Sequence, residues 1–195
     1  MALLDYNEIK ERKYIVYEGE PYEVVEAHVA RKQQRKPQNQ TKLKSLVSGK
    51  VVAVAFHAQD TALEADIVQR DAKYLFANKG EYWFCDPEDA KNRYQISEGT
   101  LGGNGKWLKT DTLVRTMVFE YKGEEKIIGI KLPIKVVLEV KDAPPSIKGN
   151  TSSGGDKLVT LETGAQVTVP LFIESGEKVV INTDTGEYVE RFTQK

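Results

Sequence analysis

The sequence contains a single cysteine, Cys85, and two histidines, His28 and His57. An intrachain disulfide therefore cannot form, and a reducing compartment is the simpler interpretation. A structural zinc site takes about four His or Cys ligands at close spacing, which this inventory does not supply. Cys85 follows Trp83-Phe84 in a strand-like run, so we expect a buried and inert thiol. The sequence thus predicts no metal and no cofactor.

Long hydrophobic runs are also missing. No apolar run approaches the length that spans a bilayer. The opening residues, MALLDYNEIK, reach an acid at Asp5 and lack the apolar core of a signal peptide. We therefore expect a cytoplasmic protein that does not enter a membrane. Long amphipathic helices are absent too, and only residues 7–12 and 87–93 have the pattern of short helices of about two turns.

A catalytic constellation is likewise missing. The sequence does not assemble a nucleophile, a base and an oxyanion donor. The Gly-rich segment 102–105 is not followed by the Lys-Ser/Thr of a phosphate-binding loop. Acidic pairs such as Glu88-Asp89 are typical of solvated surface. We therefore predict that the protein is not an enzyme.

Most of the chain alternates apolar and polar residues between Gly, Asn and Asp positions, which is typical of short β-strands. Asn78-Lys79-Gly80 and Lys122-Gly123-Glu124 predict the turns of two hairpins. The first sixty or so residues contain four or five such strands, as a small SH3-like barrel does, and Gly164, Gly176 and Gly186 separate the strands of an OB-like C-terminal unit. We predict an all-β protein, expected to be a monomer, of three consecutive small β-barrels. These are an SH3/KOW-like barrel in residues 1–65, an OB fold in residues 66–132 and a second OB fold in residues 133–195.

Five aromatic residues cluster in the predicted second barrel. They are Tyr74, Phe76, Tyr82, Trp83 and Phe84. Side chains of this kind can stack nucleic-acid bases, as they do in OB-type binding proteins. No basic residues are interleaved within either run of aromatics, residues 74–76 or 82–84, and a small barrel needs such side chains inside, so we predict a core role for all five.

Acidic residues are absent from residues 27–59. This stretch contributes +7 to a total charge of −1, so the remainder of the chain carries −8. Within it, residues 30–42 contain no apolar residue beyond Ala30, and strand-like runs flank them at residues 22–29 and 43–47. A solvated charged loop is the alternative interpretation. We favour a projecting basic hairpin that binds RNA phosphates.

The sequence resembles the bacterial elongation factor P family along nearly its whole length. The resemblance begins at Gly19-Glu20-Pro21-Tyr22-Glu23-Val24 and continues at Thr41-Lys42-Leu43 and Gly105-Lys106-Trp107-Leu108. Its most specific part is a spread C-terminal pattern: Lys157, Thr163-Gly164, Val169-Pro170-Leu171-Phe172-Ile173, Gly176-Glu177, Asn182-Thr183 and Tyr188.

The resemblance implies a translation elongation factor with an elongated, L-shaped body. Such a factor binds the ribosome between the peptidyl-tRNA and exit sites and reaches toward the acceptor end of the peptidyl-site tRNA. It relieves stalling at consecutive prolines. The implied partners are the ribosome, the peptidyl-site tRNA and a modifying enzyme. The alternative function is a general RNA-binding or ribosome-associated structural module without effect on peptidyl transfer.

The hairpin departs from the family at its tip. The residues predicted to contact tRNA or ribosomal RNA are Arg31, Lys32, Gln33, Gln34, Arg35, Lys36, Lys42 and Lys44. The family usually has Pro-Gly-Lys-Gly with a modified lysine, or an arginine that receives a sugar. Here the tip is one residue longer, and the matching position falls on Gln33 or Gln34, which accept neither modification. Arg35 is midway between Val29 and Thr41, so we predict it as the apical residue and modification site, with Lys36 and Lys32 as alternatives.

A Gly-rich loop in the third predicted barrel also matches the family. The resemblance implies that it contacts messenger RNA at the exit-site codon on the small subunit. The matching residues are Gly149, Asn150, Thr151, Gly154 and Gly155, and the family usually has Asp in place of Asn150.

Overall fold

The computed structural model describes residues 2–30, 36–145 and 155–193. Over these residues the protein is built almost wholly of β-strands, which form three sheets. The predicted all-β fold is therefore confirmed. No helix in the described part of the chain is long and apolar enough to cross a membrane.

The first sheet contains six strands in the order β1-β6-β2-β3-β4-β5. Their bounds are Leu3–Asp5 (β1), Tyr14–Tyr17 (β2), Glu20–Ala30 (β3), Gln38–Ser45 (β4), Val51–His57 (β5) and Thr61–Glu64 (β6). The sheet surrounds an apolar core to which each strand contributes one buried residue and the segment between β1 and β2 contributes Ile9. The core residues are Leu4, Ile9, Ile15, Val24, Leu43, Phe56 and Ala62. Burying these side chains supplies the main stabilising free energy of a small barrel.

The second and third sheets have five strands each. The second comprises Asp66–Asn78 (β7), Glu81–Cys85 (β8), Arg93–Ser97 (β9), Leu113–Tyr121 (β10) and Glu124–Lys131 (β11). The third comprises Lys135–Asp142 (β12), Asp156–Leu161 (β13), Gln166–Pro170 (β14), Lys178–Asn182 (β15) and Tyr188–Arg191 (β16). Their orders are β11-β10-β7-β8-β9 and β14-β13-β12-β15-β16. In both sheets the first strand in sequence is central, with the second and third strands on one side and the fourth and fifth on the other. Both sheets therefore have the five-stranded OB-like arrangement.

Two-residue turns join three of the hairpins. They are Glu18-Gly19, Lys79-Gly80 and Lys122-Gly123, and both residues of each turn have positive φ angles. Positive φ at both central positions is what a type I′ turn requires, and glycine adopts it without a Cβ clash. The hairpins predicted around Asn78-Lys79-Gly80 and Lys122-Gly123-Glu124 are thus confirmed.

The core of the third sheet includes a tryptophan from outside that sheet. Trp107, in a short 3-10 helix at Asn104–Trp107, is 3% exposed and packs with Leu138, Val159 and Ile181. Beside it, the Thr163 hydroxyl donates to the Lys106 carbonyl at 2.7 Å. The segment before β10 is therefore fixed to the third sheet by packing and by a hydrogen bond.

The predicted helices at residues 7–12 and 87–93 are wrong. Both segments form turns, and the one α-helical turn among the described residues is Glu98–Leu101. Residue contacts divide the chain into one compact unit of residues 1–70 and 116–129 and another of residues 71–115 and 130–195. The predicted domain boundaries near residues 65 and 132 coincide with changes of sheet, but three domains remain a prediction.

Candidate nucleic-acid interface

The predicted basic hairpin is formed by β3 and β4. These strands pair antiparallel, and the last paired residues before the tip are Ala30 and Gln38. The returning strand was expected to begin at Leu43, but β4 begins five residues earlier, at Gln38. The expected start is wrong because the buried face of this strand is largely polar. Asn39, Thr41 and Ser45 are buried on it together with Leu43.

Asn39 fixes the hairpin to the N-terminal segment. Its side chain is fully buried, and its Nδ2 donates to the carbonyl of Tyr6 at 2.7 Å and to that of Ile9 at 2.8 Å. The Thr41 hydroxyl donates to the Val54 carbonyl on β5 at 2.9 Å. The strand that leaves the tip is therefore held on two sides. Asn39 was not among the predicted residues, although its spacing from Thr41 and Leu43 has the period of a strand.

The opposite face of β4 carries Lys42 and Lys44, which are both exposed. Lys42 Nζ lies 2.9 Å from Glu26 Oε1, and the register places Lys44 opposite Glu23 on β3. Opposite charges on directly paired residues attract each other. The stretch that lacks acids in sequence therefore has acidic neighbours in space, and these neighbours were not predicted. Lys42 remains a weaker candidate for a phosphate contact than an unpaired cation.

The basic residues of the stretch that the structure describes do not form one patch. Lys36 is exposed directly before β4, next to the tip. Lys44 lies about 20 Å from the start of β4 at Gln38, at the rise of an antiparallel strand. Lys50 is near that far end too, since its carbonyl accepts from Ser45 N at 2.8 Å. Of the predicted tip residues, Arg31, Lys32, Gln33, Gln34 and Arg35 lie outside the described residues.

One end of the predicted messenger-RNA loop is described. Gly155 precedes β13, and its carbonyl accepts from Leu171 N at 3.1 Å. A Cβ at this position would lie 3.2 Å from Leu171 Cδ1. Gly149, Asn150, Thr151 and Gly154 lie outside the described residues. In the described ranges, no group of three His, Cys, Asp or Glu residues has an arrangement that could hold a metal ion.

The five aromatics predicted to fill the second barrel differ in burial, and two of them, Tyr82 and Trp83, are only partly buried. Tyr74 and Phe84 are buried, with ring centroids 5.5 Å apart, as predicted. The prediction for Phe76 is wrong, because it is 47% exposed. A β-bulge separates the Tyr74–Phe84 pair from the Phe76–Trp83 pair, and the extra residue reverses the inside-outside alternation. Cys85 is buried and free, as expected.

Comparison with known proteins connects these features to a family. The family model "Elongation factor P (EF-P) KOW-like domain" matches residues 5–62, which include the β3–β4 hairpin, and "Elongation factor P, C-terminal" matches residues 136–191. Elongation factor P of Thermosipho africanus is 37% identical over 189 residues, which are 97% of this chain and 100% of that protein. This chain belongs to the elongation factor P family.

A second relative from the same family gives the same result. Elongation factor P of Dictyoglomus turgidum is 40% identical over 177 residues, covering 91% of this chain and 93% of that protein. Among solved structures, eukaryotic translation initiation factor 5A from Methanococcus jannaschii is similar over 66% of this chain and 95% of its own, at 14% identity and a TM-score of 0.48. Membership in the elongation factor P family makes this chain a translation elongation factor.

Proposed function

We propose that the protein binds the ribosome beside the peptidyl-site tRNA and relieves stalling at consecutive prolines by positioning the tRNA acceptor end. The observation that carries this proposal is the braced β3–β4 hairpin, which has the exposed Lys36 where the strand leaves the tip. Arg31, Lys32 and Arg35 are next to Lys36 in sequence. Cations at this end of the hairpin favour the phosphates of a tRNA end.

The physical basis is positioning rather than bond chemistry. Proline is a constrained participant in peptide transfer because its ring fixes φ. A factor that holds the peptidyl-tRNA end in a productive pose lowers the entropic part of the barrier. Such a holder must itself be stiff, and the Asn39 and Thr41 hydrogen bonds supply that stiffness at the base of the tip.

Arg35 is the proposed apical residue and modification site, with Lys36 and Lys32 as alternatives. The competing hypothesis is a longer tip that carries no modification and supplies by its length the reach that other family members obtain by modification. The intact mass of the protein from its native host tests this point. A mass equal to that of the bare sequence supports the unmodified tip, and added mass on the peptide of residues 30–42 contradicts it.

The loop before β13 is the proposed contact with messenger RNA at the exit-site codon, through Gly149, Asn150, Thr151, Gly154 and Gly155. The hydrogen bond from Leu171 N to the Gly155 carbonyl supports this proposal, because it anchors the end of the loop to the residue that follows β14. We further propose that the protein acts as a cytoplasmic monomer without a cofactor.

The decisive experiment is peptide synthesis on a template with three consecutive proline codons. The wild-type protein should accelerate synthesis, and the double reversal Arg35→Glu/Lys36→Glu should abolish the acceleration. The control is Lys91→Glu, which reverses the charge of an exposed lysine in the loop between β8 and β9. It should leave the acceleration unchanged. Normal acceleration by the double variant would show that the tip assignment is wrong. Ribosome binding by the wild type without acceleration would favour the general RNA-binding module.

A further inference from the structure

The second sheet carries an aromatic pair on its outer face, in which Phe76 is exposed and Trp83 is partly exposed. Phe76 on β7 and Trp83 on β8 are paired in register and stack with ring centroids 6.1 Å apart and planes 22° apart. Phe76 is 47% exposed, whereas Tyr74 and Phe84 fill the interior of the same hairpin. Leaving a large ring in water forgoes the free energy of burying it. This pair therefore calls for an explanation other than core packing.

Basic and polar side chains surround the pair. Cys85 follows Trp83 by two residues on β8. Its cross-strand partners are Lys73 on β7 and Arg93 on β9. These three residues lie about 7 Å from Trp83 along the strand direction. Arg93 is exposed, and its Nε donates to the Ala90 carbonyl at 3.0 Å, which fixes the direction of the side chain. Cross-strand pairing thus supplies the cations that the sequence does not interleave with these aromatics.

The chemistry of this face favours nucleic acid over protein. On β9, the partner of Trp83 is Gln95, whose amide is exposed. On the other side of the aromatic pair, Asn78 on β7 pairs with Glu81 on β8. A stable protein interface uses a broad apolar core, which two rings among polar side chains do not provide. Rings with adjacent cations and amides are, in contrast, the elements that bind unpaired bases and their phosphates.

We propose that Phe76 and Trp83 form a stacking platform for unpaired bases of single-stranded RNA. Arg93, and Lys73 beside it, meet the phosphates of the bound strand. Lys73 is the weaker of the two, because its Nζ lies 3.2 Å from Asp111 Oδ1. This site is separate from the hairpin tip of the first sheet, and it does not depend on the function proposed for that tip.

Tryptophan fluorescence of the full chain tests the platform directly. The sequence contains two tryptophans, and Trp107 is 3% exposed in the core of the third sheet, so bases that stack on the surface quench Trp83. Titration with a single-stranded RNA of about 12 nucleotides, near the site size of an OB-type binder, should give saturable quenching. Phe76→Ala should raise the Kd about tenfold, as expected for one lost stacking contact, and Phe76→Tyr should retain affinity.

The controls separate this site from the tip and from general unfolding. Arg93→Gln should lower the slope of log K against log salt by about 0.7, the value for one phosphate contact to a single strand. Leu113→Ala removes an apolar side chain that is 59% exposed elsewhere on the same sheet and should have no effect. Lys36→Gln, at the hairpin tip, should leave the midpoint of Trp83 quenching unchanged.

Several outcomes would overturn the proposal. One is quenching that depends on Lys36 but not on Phe76, and another is RNA binding that leaves tryptophan fluorescence unchanged. Phe76-dependent binding of purified ribosomal proteins, without quenching by RNA, would assign this face to a protein partner instead. Loss of acceleration in the triple-proline assay by tip variants alone would not affect the platform, since the two sites are tested by different residues.

Discussion

Asn39 donates its side-chain amide to the carbonyl of Ile9, 30 residues earlier in the chain, at 2.8 Å. The same nitrogen donates to the Tyr6 carbonyl at 2.7 Å. One fully buried residue thus connects the strand that leaves the hairpin tip to the N-terminal segment. The turns at residues 6–12 take the place of the predicted helix because their carbonyls face this amide.

Asn39→Ala should lower the free energy of unfolding by about 2 kcal/mol, because it leaves buried carbonyls without a donor. Asn39→Asp has nearly the same shape but should be more destabilising at pH 7, because its carboxylate faces the same carbonyls. Urea unfolding followed by circular dichroism measures both. The exposed Asn78→Ala should change stability by less than about 0.5 kcal/mol. An Asp variant as stable as the wild type would contradict the assigned hydrogen bonds.

The ion pair between Lys42 and Glu26 should matter for binding rather than for stability. Both side chains are more than half exposed, at 53% and 60%, and exposed pairs contribute little to folding. Glu26→Gln should therefore change the free energy of unfolding by less than about 0.5 kcal/mol. It should also tighten RNA binding about two- to threefold at low salt, because it frees Lys42 for a phosphate.

Filter binding of tRNA at low and high salt checks this expectation. The matched control is Glu190→Gln, which removes one charge from another exposed pair, Lys135–Glu190, on the third sheet. If both variants bind tRNA equally tightly, the effect is one of net charge, and Lys42 is not part of the interface.

Gly186 lies against Trp107 in the third-sheet core. It has a φ of +73°, and a Cβ added to it would lie 3.2 Å from Trp107 Cζ2. Gly186→Ala should thus incur both backbone strain and a close contact. The control Gly176→Ala, at φ +87° with open space around the added Cβ, should incur the strain alone. We expect about 1 kcal/mol from the strain in each and about 1 kcal/mol more in the Gly186 variant, measured by denaturant unfolding. Equal losses would show that Trp107 yields without cost.

Turn chemistry and strand periodicity predicted most of the fold. Lys79-Gly80 and Lys122-Gly123 located two hairpins because positive φ angles restrict the residues that can occupy such turns. Alternation located the strands wherever the buried face was apolar. Alternation did not locate the start of β4, because the buried face of this strand includes Asn39 and Thr41. Polar residues that are buried by long-range hydrogen bonds have the sequence pattern of a loop.

The site was less predictable than the fold. The acid-free stretch indicated a basic hairpin, but strand pairing places Glu26 beside Lys42. The sequence of β4 alone does not reveal this acidic neighbour, because it lies on β3. The bulge between Tyr74 and Phe76 had a similar effect, since one extra residue moves a ring from the core to the surface. Local sequence carries turn and strand preferences, whereas register and bulges depend on the partner strand.

The carboxylate of Glu162 should make the stability of the protein depend on pH in the acid range. Burial raises the pKa of its carboxyl, but hydrogen bonds from Lys109 Nζ at 2.8 Å and from the Glu139 N–H at 2.9 Å outweigh burial. The pKa of Glu162 is therefore held below its ordinary value of 4.5. A carboxyl with a lowered folded-state pKa stabilises the protein above the unfolded-state pKa, and this contribution is lost as the pH falls through the folded-state value.

Glu162→Gln should consequently be less stable than the wild type at pH 7, with a difference that shrinks as the pH falls below 4.5. Urea unfolding at a series of pH values measures it. Lys109→Met should reduce the same pH-dependent difference, because it removes one of the two donors to the carboxylate. Glu187→Gln, an exposed acid near the same sheet's last turn, provides the baseline. A stability difference between wild type and Glu162→Gln that stays constant from pH 7 to acid would show that the carboxylate charge is not what Lys109 and Glu139 stabilise.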